Sequence, residues 1–132
     1  MAVRIVRLGS ARHPKEGLRI GTVRRPPRGV PKAKFAAENW YDVWFPVLAP
    51  SVETMKLGQA AATPAQWAAF VRKYRAEMGE AAASQALDVL AALSKTAAFS
   101  VGCYCENEAR CHRSVLAKIL EARGAELARR RD

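Results

Sequence analysis

Near the end of the chain a short apolar run, Phe99-Ser100-Val101-Gly102-Cys103-Tyr104-Cys105, gives way to a polar loop and then to Val115, Leu116, Ile119 and Leu120 at helical spacing. The run suits a buried strand, and the later stripe marks a helix that stops at Gly124. Strand, loop and helix in that order make half of a βαβ unit, which implies a mainly parallel sheet covered by helices. The expected fold is therefore α/β: one three-layer domain over residues 1–132, with a mostly parallel sheet flanked by helices. At 132 residues such a domain buries roughly two-thirds of its unfolded surface, so it needs neither disulfides nor a structural metal to hold together.

The remaining segments fit that plan. Val3 to Leu8 is a β-branched run, Leu18 to Val23 a second, and Trp40 to Leu48 a third that Pro46 confines to an edge or ends early. Ser51 is a good cap for a helical turn through Lys56, with Gly58 placed to stop it. Thr63-Pro64-Ala65-Gln66 combines a cap, a proline at the first helical position and a capping-box glutamine. The stripe Trp67, Phe70, Val71, Tyr74, Met78 that follows reads as the core face of a helix closed by Gly79. Leu87, Leu90 and Leu93 mark another helix from about Glu80 to Ser94.

Charge is unevenly distributed. Of the formal +10, a net +9 lies between Met1 and Lys34, which hold ten basic residues and the single acid Glu16. An anionic partner is expected to meet that part of the chain. Within it, Arg24-Arg25-Pro26-Pro27-Arg28-Gly29-Val30-Pro31-Lys32 must be an irregular basic loop, because three prolines remove backbone donors. The segment 128–132 reads as a frayed basic tail. No apolar stretch approaches the roughly 20 residues of a membrane span, and no secretory leader is evident, so a cytoplasmic protein without a membrane partner is expected.

Cys103, Cys105 and Cys111 are odd in number and confined to nine positions, which describes a local site or reduced core thiols rather than a secreted framework. Period two puts Cys103 and Cys105 on one sheet face, while Cys111 and His112 begin the next helix. A thiol at that helix start, near Arg110, Arg113 or a protonated His112, has its pKa lowered, which makes Cys111 the better nucleophile. In the active-site reading Cys111 or Cys103 is a nucleophile or redox thiol. His112 then carries the proton, Glu106 is a general acid or base, and Arg113 holds an anion. The bland reading makes the cysteines core residues and the polar groups helix caps. Zinc has four nominal ligands in Cys103, Cys105, Cys111 and His112. Cys-x-Cys is tight for zinc, however, and neighbouring helical residues diverge by about 100°, so no metal or other cofactor is expected. A phosphatase-type loop fails on spacing, with four residues instead of five between Cys105 and Arg110.

Three motifs in order resemble those of the domain of unknown function 488 (DUF488) family, which includes the YeaO-like proteins. They are Arg24 to Lys32, like the family's Arg-x-x-Pro-Arg-Gly-Val; Leu48-Ala49-Pro50-Ser51; and Cys103-Tyr104-Cys105-Glu106 with Cys111-His112-Arg113-Ser114. The resemblance implies a compact α/β fold and a shared polar site that brings Arg24, Pro27, Arg28 and Gly29 near Cys103, Glu106, Cys111, His112 and Arg113. Pro27 and Gly29 would shape the turn. Where YeaO-like members commonly carry an Asp before the first Arg, this chain has Val23.

Two functions are thus in competition. One is an enzyme acting on an anionic small molecule or nucleotide-type substrate, with Arg24, Arg28 and Arg113 holding negative charge beside Cys111, His112 and Glu106. The other is a nucleic-acid-binding module that uses the basic segment without catalysis; an adaptor with no site is the third possibility. The residues specify no oligomeric state.

Overall fold

The sheet is four-stranded, in the order β1-β4-β2-β3, and every pairing in it is parallel. Its strands are β1 (Ala2–Arg7), β2 (Leu18–Gly21), β3 (Val43–Trp44) and β4 (Ala98–Cys103). In this computed structural model, which describes residues 2–107 and 110–128, the helices are α1 (Val52–Ala60), α2 (Pro64–Met78), α3 (Ala81–Leu93) and α4 (His112–Ala122). This is the α/β architecture expected from the strand–loop–helix junction. None of the helices is long and apolar enough to cross a membrane.

Alternation along the strands decides which side each layer occupies. Val3, Ile20, Phe99 and Val101 face one way and form the main core with Phe70 and Tyr74 of α2, Leu87 of α3 and Leu116 of α4. A smaller cluster of Leu8, Val23, Tyr41, Cys103 and Cys111 lies apart from it, at the end where the strands stop. Local chemistry follows the sequence closely at α2, where Thr63 and Gln66 complete a reciprocal capping box. Ser51 caps α1 by accepting from the Thr54 amide.

Two elements differ from expectation. Gly58 does not end α1, which runs on to Ala60. A side chain at Gly58 would collide with the ring of Phe70, so this glycine serves close helix packing rather than termination. β4 ends at Cys103, two residues short of the expected strand. Cys105 therefore does not share a sheet face with Cys103: it is exposed, while Cys103 is buried. The third strand shrinks to Val43–Trp44 because Pro46 opens a 3₁₀ turn, Pro46–Leu48.

The outer edge of β1 is not bare. Val3 donates to the carbonyl of Glu126 and accepts from Ala128, both at 2.8 Å, forming a parallel bridge with Leu127. Ala128 is thereby tied to the sheet, and the rest of the expected basic tail, 129–132, lies outside the described residues.

Arg19, counted among the free cations of the basic segment, is fully buried. Its Nε and Nη2 donate to Glu16 at 2.6 and 2.9 Å, and its Nη1 donates to the carbonyls of Ser10 and Asn39. Ser100 of β4 donates to the same carboxylate at 2.7 Å. Burial alone would raise the Glu16 pKa, yet the hydrogen bonds from Arg19 and Ser100 and the Arg19 charge hold it below its ordinary value. A carboxylate depressed in this way adds stability above its unfolded pKa, and that stability is lost as the pH falls through the folded pKa. Breaking a buried pair from one side costs about 3–5 kcal/mol. Denaturant unfolding at neutral pH is expected to show Glu16→Gln destabilised by at least about 3 kcal/mol. The gap from wild type should narrow as the pH drops through the range where Glu16 protonates.

Candidate functional site

Three loops leave the carboxyl ends of β1, β2 and β4 at the same end of the sheet, and a cavity of about 970 Å³ opens between them. Its wall takes Arg7 to Ser10 from the β1 loop, Val23 to Arg28 from the β2 loop and Cys103 to Cys105 from the β4 loop. Cys111 and His112 come from the start of α4, and α1 and α2 close the far side with Met55, Gly58, Trp67 and Phe70. Ligands collect in this position in open α/β sheets. Arg24 and Arg28 thus share one cavity with Cys103, Cys111 and His112.

Specific bonds hold these distant stretches together. The ring Nε2 of His112 lies 2.7 Å from the Thr22 carbonyl just beyond β2, and the Thr22 hydroxyl donates to Gly102 of β4 at 3.0 Å. The Tyr104 hydroxyl donates to the Arg25 carbonyl at 2.9 Å, pinning the basic loop to the thiol-bearing one. Because a carbonyl only accepts, the proton of neutral His112 is on Nε2, and Nδ1 carries a lone pair. That Nδ1 sits 3.8 Å from Cys111 Sγ. Burial pushes the His112 pKa down to about 4, with the charge of Arg113 acting in the same direction against the Thr22 bond, so the ring is neutral at neutral pH.

Cys111 is the N-cap of α4, with extended backbone (φ −128°, ψ 149°) rather than helical. The divergence of about 100° between neighbouring helical residues therefore does not apply, and its sulphur and the His112 ring reach the same point. Cys103 and Cys111 are joined sulphur to sulphur across α-carbons 7.7 Å apart. Both are buried at the cavity floor.

The arginines divide into structural and available ones. Arg24 donates from Nε and Nη2 to the carbonyls of Pro50 and Ala49. It stands near Glu77, whose carboxylate accepts from the Ser51 amide and hydroxyl and the Thr54 hydroxyl. Burial opposes the Glu77 charge, but these bonds and Arg24 keep its pKa below the ordinary value. Arg25 and Arg28 are exposed at the cavity mouth. Arg7 pairs loosely with Glu106 at 3.5 Å, and Arg110 lies over the Trp67 ring at 5.5 Å. Among the described residues that line the cavity, five are arginines and none is acidic.

Not every expected member belongs to this wall. Glu106 is turned to solvent, with its side chain 84% exposed. Arg113 is buried at the start of α4 and does not line the cavity. Gly29 adopts the left-handed φ of +70° that its turn requires, yet lies outside the lining, whereas Pro27 is part of it. Sequence reasoning missed Arg7, Trp40 and Trp67. Arg7 carried a usable signal as the last residue of a strand, whereas Trp67 was hidden because it shares a helical stripe with true core residues.

A parallel α/β domain with a cationic cavity over a Cys/His floor is the class that fold and site define. Residues 3–124 match the family model described as "Active DUF488-N3 subclade", and the chain belongs to the DUF488 family. No curated protein and no solved structure matches it.

The two kinds of arginine should separate by stability. Arg24→Met removes charge-assisted bonds to Ala49 and Pro50, and urea unfolding is expected to show a loss of about 1.5–3 kcal/mol. Arg28→Met, at an exposed position, should stay within about 0.5 kcal/mol of wild type.

Proposed function

We propose that this protein is an enzyme acting on an anionic, nucleotide-type small molecule held in the cavity at the carboxyl ends of β1, β2 and β4. The observation that carries this reading is the five-arginine wall, free of acidic residues among those described, above Cys103, Cys111 and His112. Arg25 and Arg28 at the mouth, with Arg7, supply charge-assisted donors for phosphate or carboxylate oxygens. Trp40 and Tyr104 line the cavity with aromatic rings against which a planar ring can pack. Cys111 and His112, at the start of α4, are the centre of the chemistry, and Cys103 is their neighbour on the floor. The description of the matching family as an active subclade accords with a reactive floor.

The polynucleotide-binding reading is disfavoured by how the basic segment is spent. Arg19 is buried against Glu16, Arg12 is bidentate to Asp42 at 2.8 and 3.1 Å, and Arg24 is committed to backbone carbonyls. Of the seven other bases in that segment, Arg7, Arg25 and Arg28 line the cavity, which concentrates available positive charge there.

Isothermal titration with pyrophosphate and with nucleoside mono- and diphosphates tests the proposal. The nucleotides are expected to bind more tightly than pyrophosphate, and Arg25→Ala with Arg28→Ala should weaken them by about 10-fold or more. Absence of binding to every anion would overturn the reading. So would preferential affinity for single-stranded nucleic acid that falls steeply with salt.

A further inference from the structure

We propose that Cys103, Cys111 and His112 together bind one thiophilic divalent metal ion, zinc above all, with a fourth coordination position facing the cavity. Their ligand atoms lie within 4.8 Å of one another, and all three residues are buried. Ligands on one tetrahedral zinc stand about 3.5–3.8 Å apart, and Cys111 Sγ and His112 Nδ1 are at 3.8 Å. The donors come from two elements, the end of β4 and the start of α4, which the fold holds face to face. Two thiolates and an imidazole suit zinc among the common cellular cations.

Two further observations point to an ion. First, a histidine that ligates a metal typically gives its other ring N–H to a backbone carbonyl, which fixes ring and tautomer. His112 does this at Thr22, leaving Nδ1 free to face the Cys111 sulphur at 3.8 Å. Second, the α-carbons of Cys103 and Cys111 are 7.7 Å apart, whereas disulfides usually span about 4.4–6.8 Å. Two thiolates sharing an ion accommodate the wider spacing, and the ion would part their sulphurs. Three protein ligands and one open position is the count of a catalytic zinc site rather than a structural one. The joined Cys103 and Cys111 sulphurs must first be reduced to two thiols, with the two electrons supplied by an external thiol or phosphine; binding then takes the metal from water and releases the proton of each thiol that ionises, with the metal's oxidation state unchanged. The inference rests on the cavity reading only for what the open position faces, and it makes Cys111 a ligand rather than the attacking group.

The test uses the full chain, reduced with a phosphine, stripped with a chelator and titrated anaerobically with cobalt(II) alone and then zinc(II) alone. One cobalt per chain is expected, with intense thiolate-to-cobalt charge-transfer bands and four-coordinate visible bands. One equivalent of zinc should abolish them. Loss of an outer partner alone weakens metal sites by about 10–100-fold, so Cys103→Ser, Cys111→Ser and His112→Ala should each exceed that range. Lys118→Ala, exposed on α4 and outside the cavity lining, should leave the zinc affinity unchanged.

These buried substitutions can perturb folding, so the wild-type cobalt spectrum decides. A reduced protein that binds no cobalt, or binds it without thiolate bands, overturns the inference. Failure here is separable from failure of the cavity reading: anion binding without metal sinks only the metal site. A stoichiometric metal with no anion affinity leaves the metal site standing and sinks the other.

Discussion

The hydrogen bond between the His112 ring and the Thr22 carbonyl joins residues 90 positions apart and is buried throughout. A buried bond of this kind adds only about 0.5–1.5 kcal/mol net, but leaving its partners unsatisfied costs more, so the contact behaves as a constraint. It sets the start of α4 against the exit of β2, and the Thr22 hydroxyl carries the connection to β4. Tyr104 repeats the tie one loop further out. The arginine-bearing bend and the thiol-bearing corner border one hollow because these bonds leave them little alternative.

The charge of the chain acquires a different meaning once the fold is known. As a count, ten bases in the first 34 residues suggest a surface for polyanions. In the molecule, Arg12 and Arg19 anchor irregular segments to Asp42 and Glu16, and Arg24 fastens the loop that precedes α1. Of the others, Arg7, Arg25 and Arg28 line the cavity, joined by Arg110 from the far end of the sequence. Arg7 donates from Nε to the Tyr104 carbonyl at 3.3 Å, and its exposed ion pair with Glu106 is worth little in water, so an incoming anion can take the carboxylate's place at small cost.

Much of this was legible before any coordinates. The capping box at Thr63, the helical stripe of α2, the prolines of the basic loop and the strand–loop–helix junction each carry a local physical signal, and all appear in the fold. The convergence of Arg24 and Arg28 with Cys103, Cys111 and His112 was implied by the motifs shared with DUF488 proteins. What escaped depends on packing across the chain. Nothing in the spacing of Arg19 says that Glu16 and Ser100 will surround it. Gly58 reads as a stop signal until the Phe70 ring is seen beside it. The pairing of Cys111 with His112 turned on whether the first of them is helical, and its extended N-cap backbone cannot be inferred from residue types alone.

The strand pairing at Val3 has a consequence for how copies of this protein meet. With Glu126 and Ala128 bonded to Val3 on the outer side of β1, the start of that margin is already paired within the chain, and the opposite margin is a strand of only two residues. Among the described residues, both margins therefore make poor templates for a strand from another molecule.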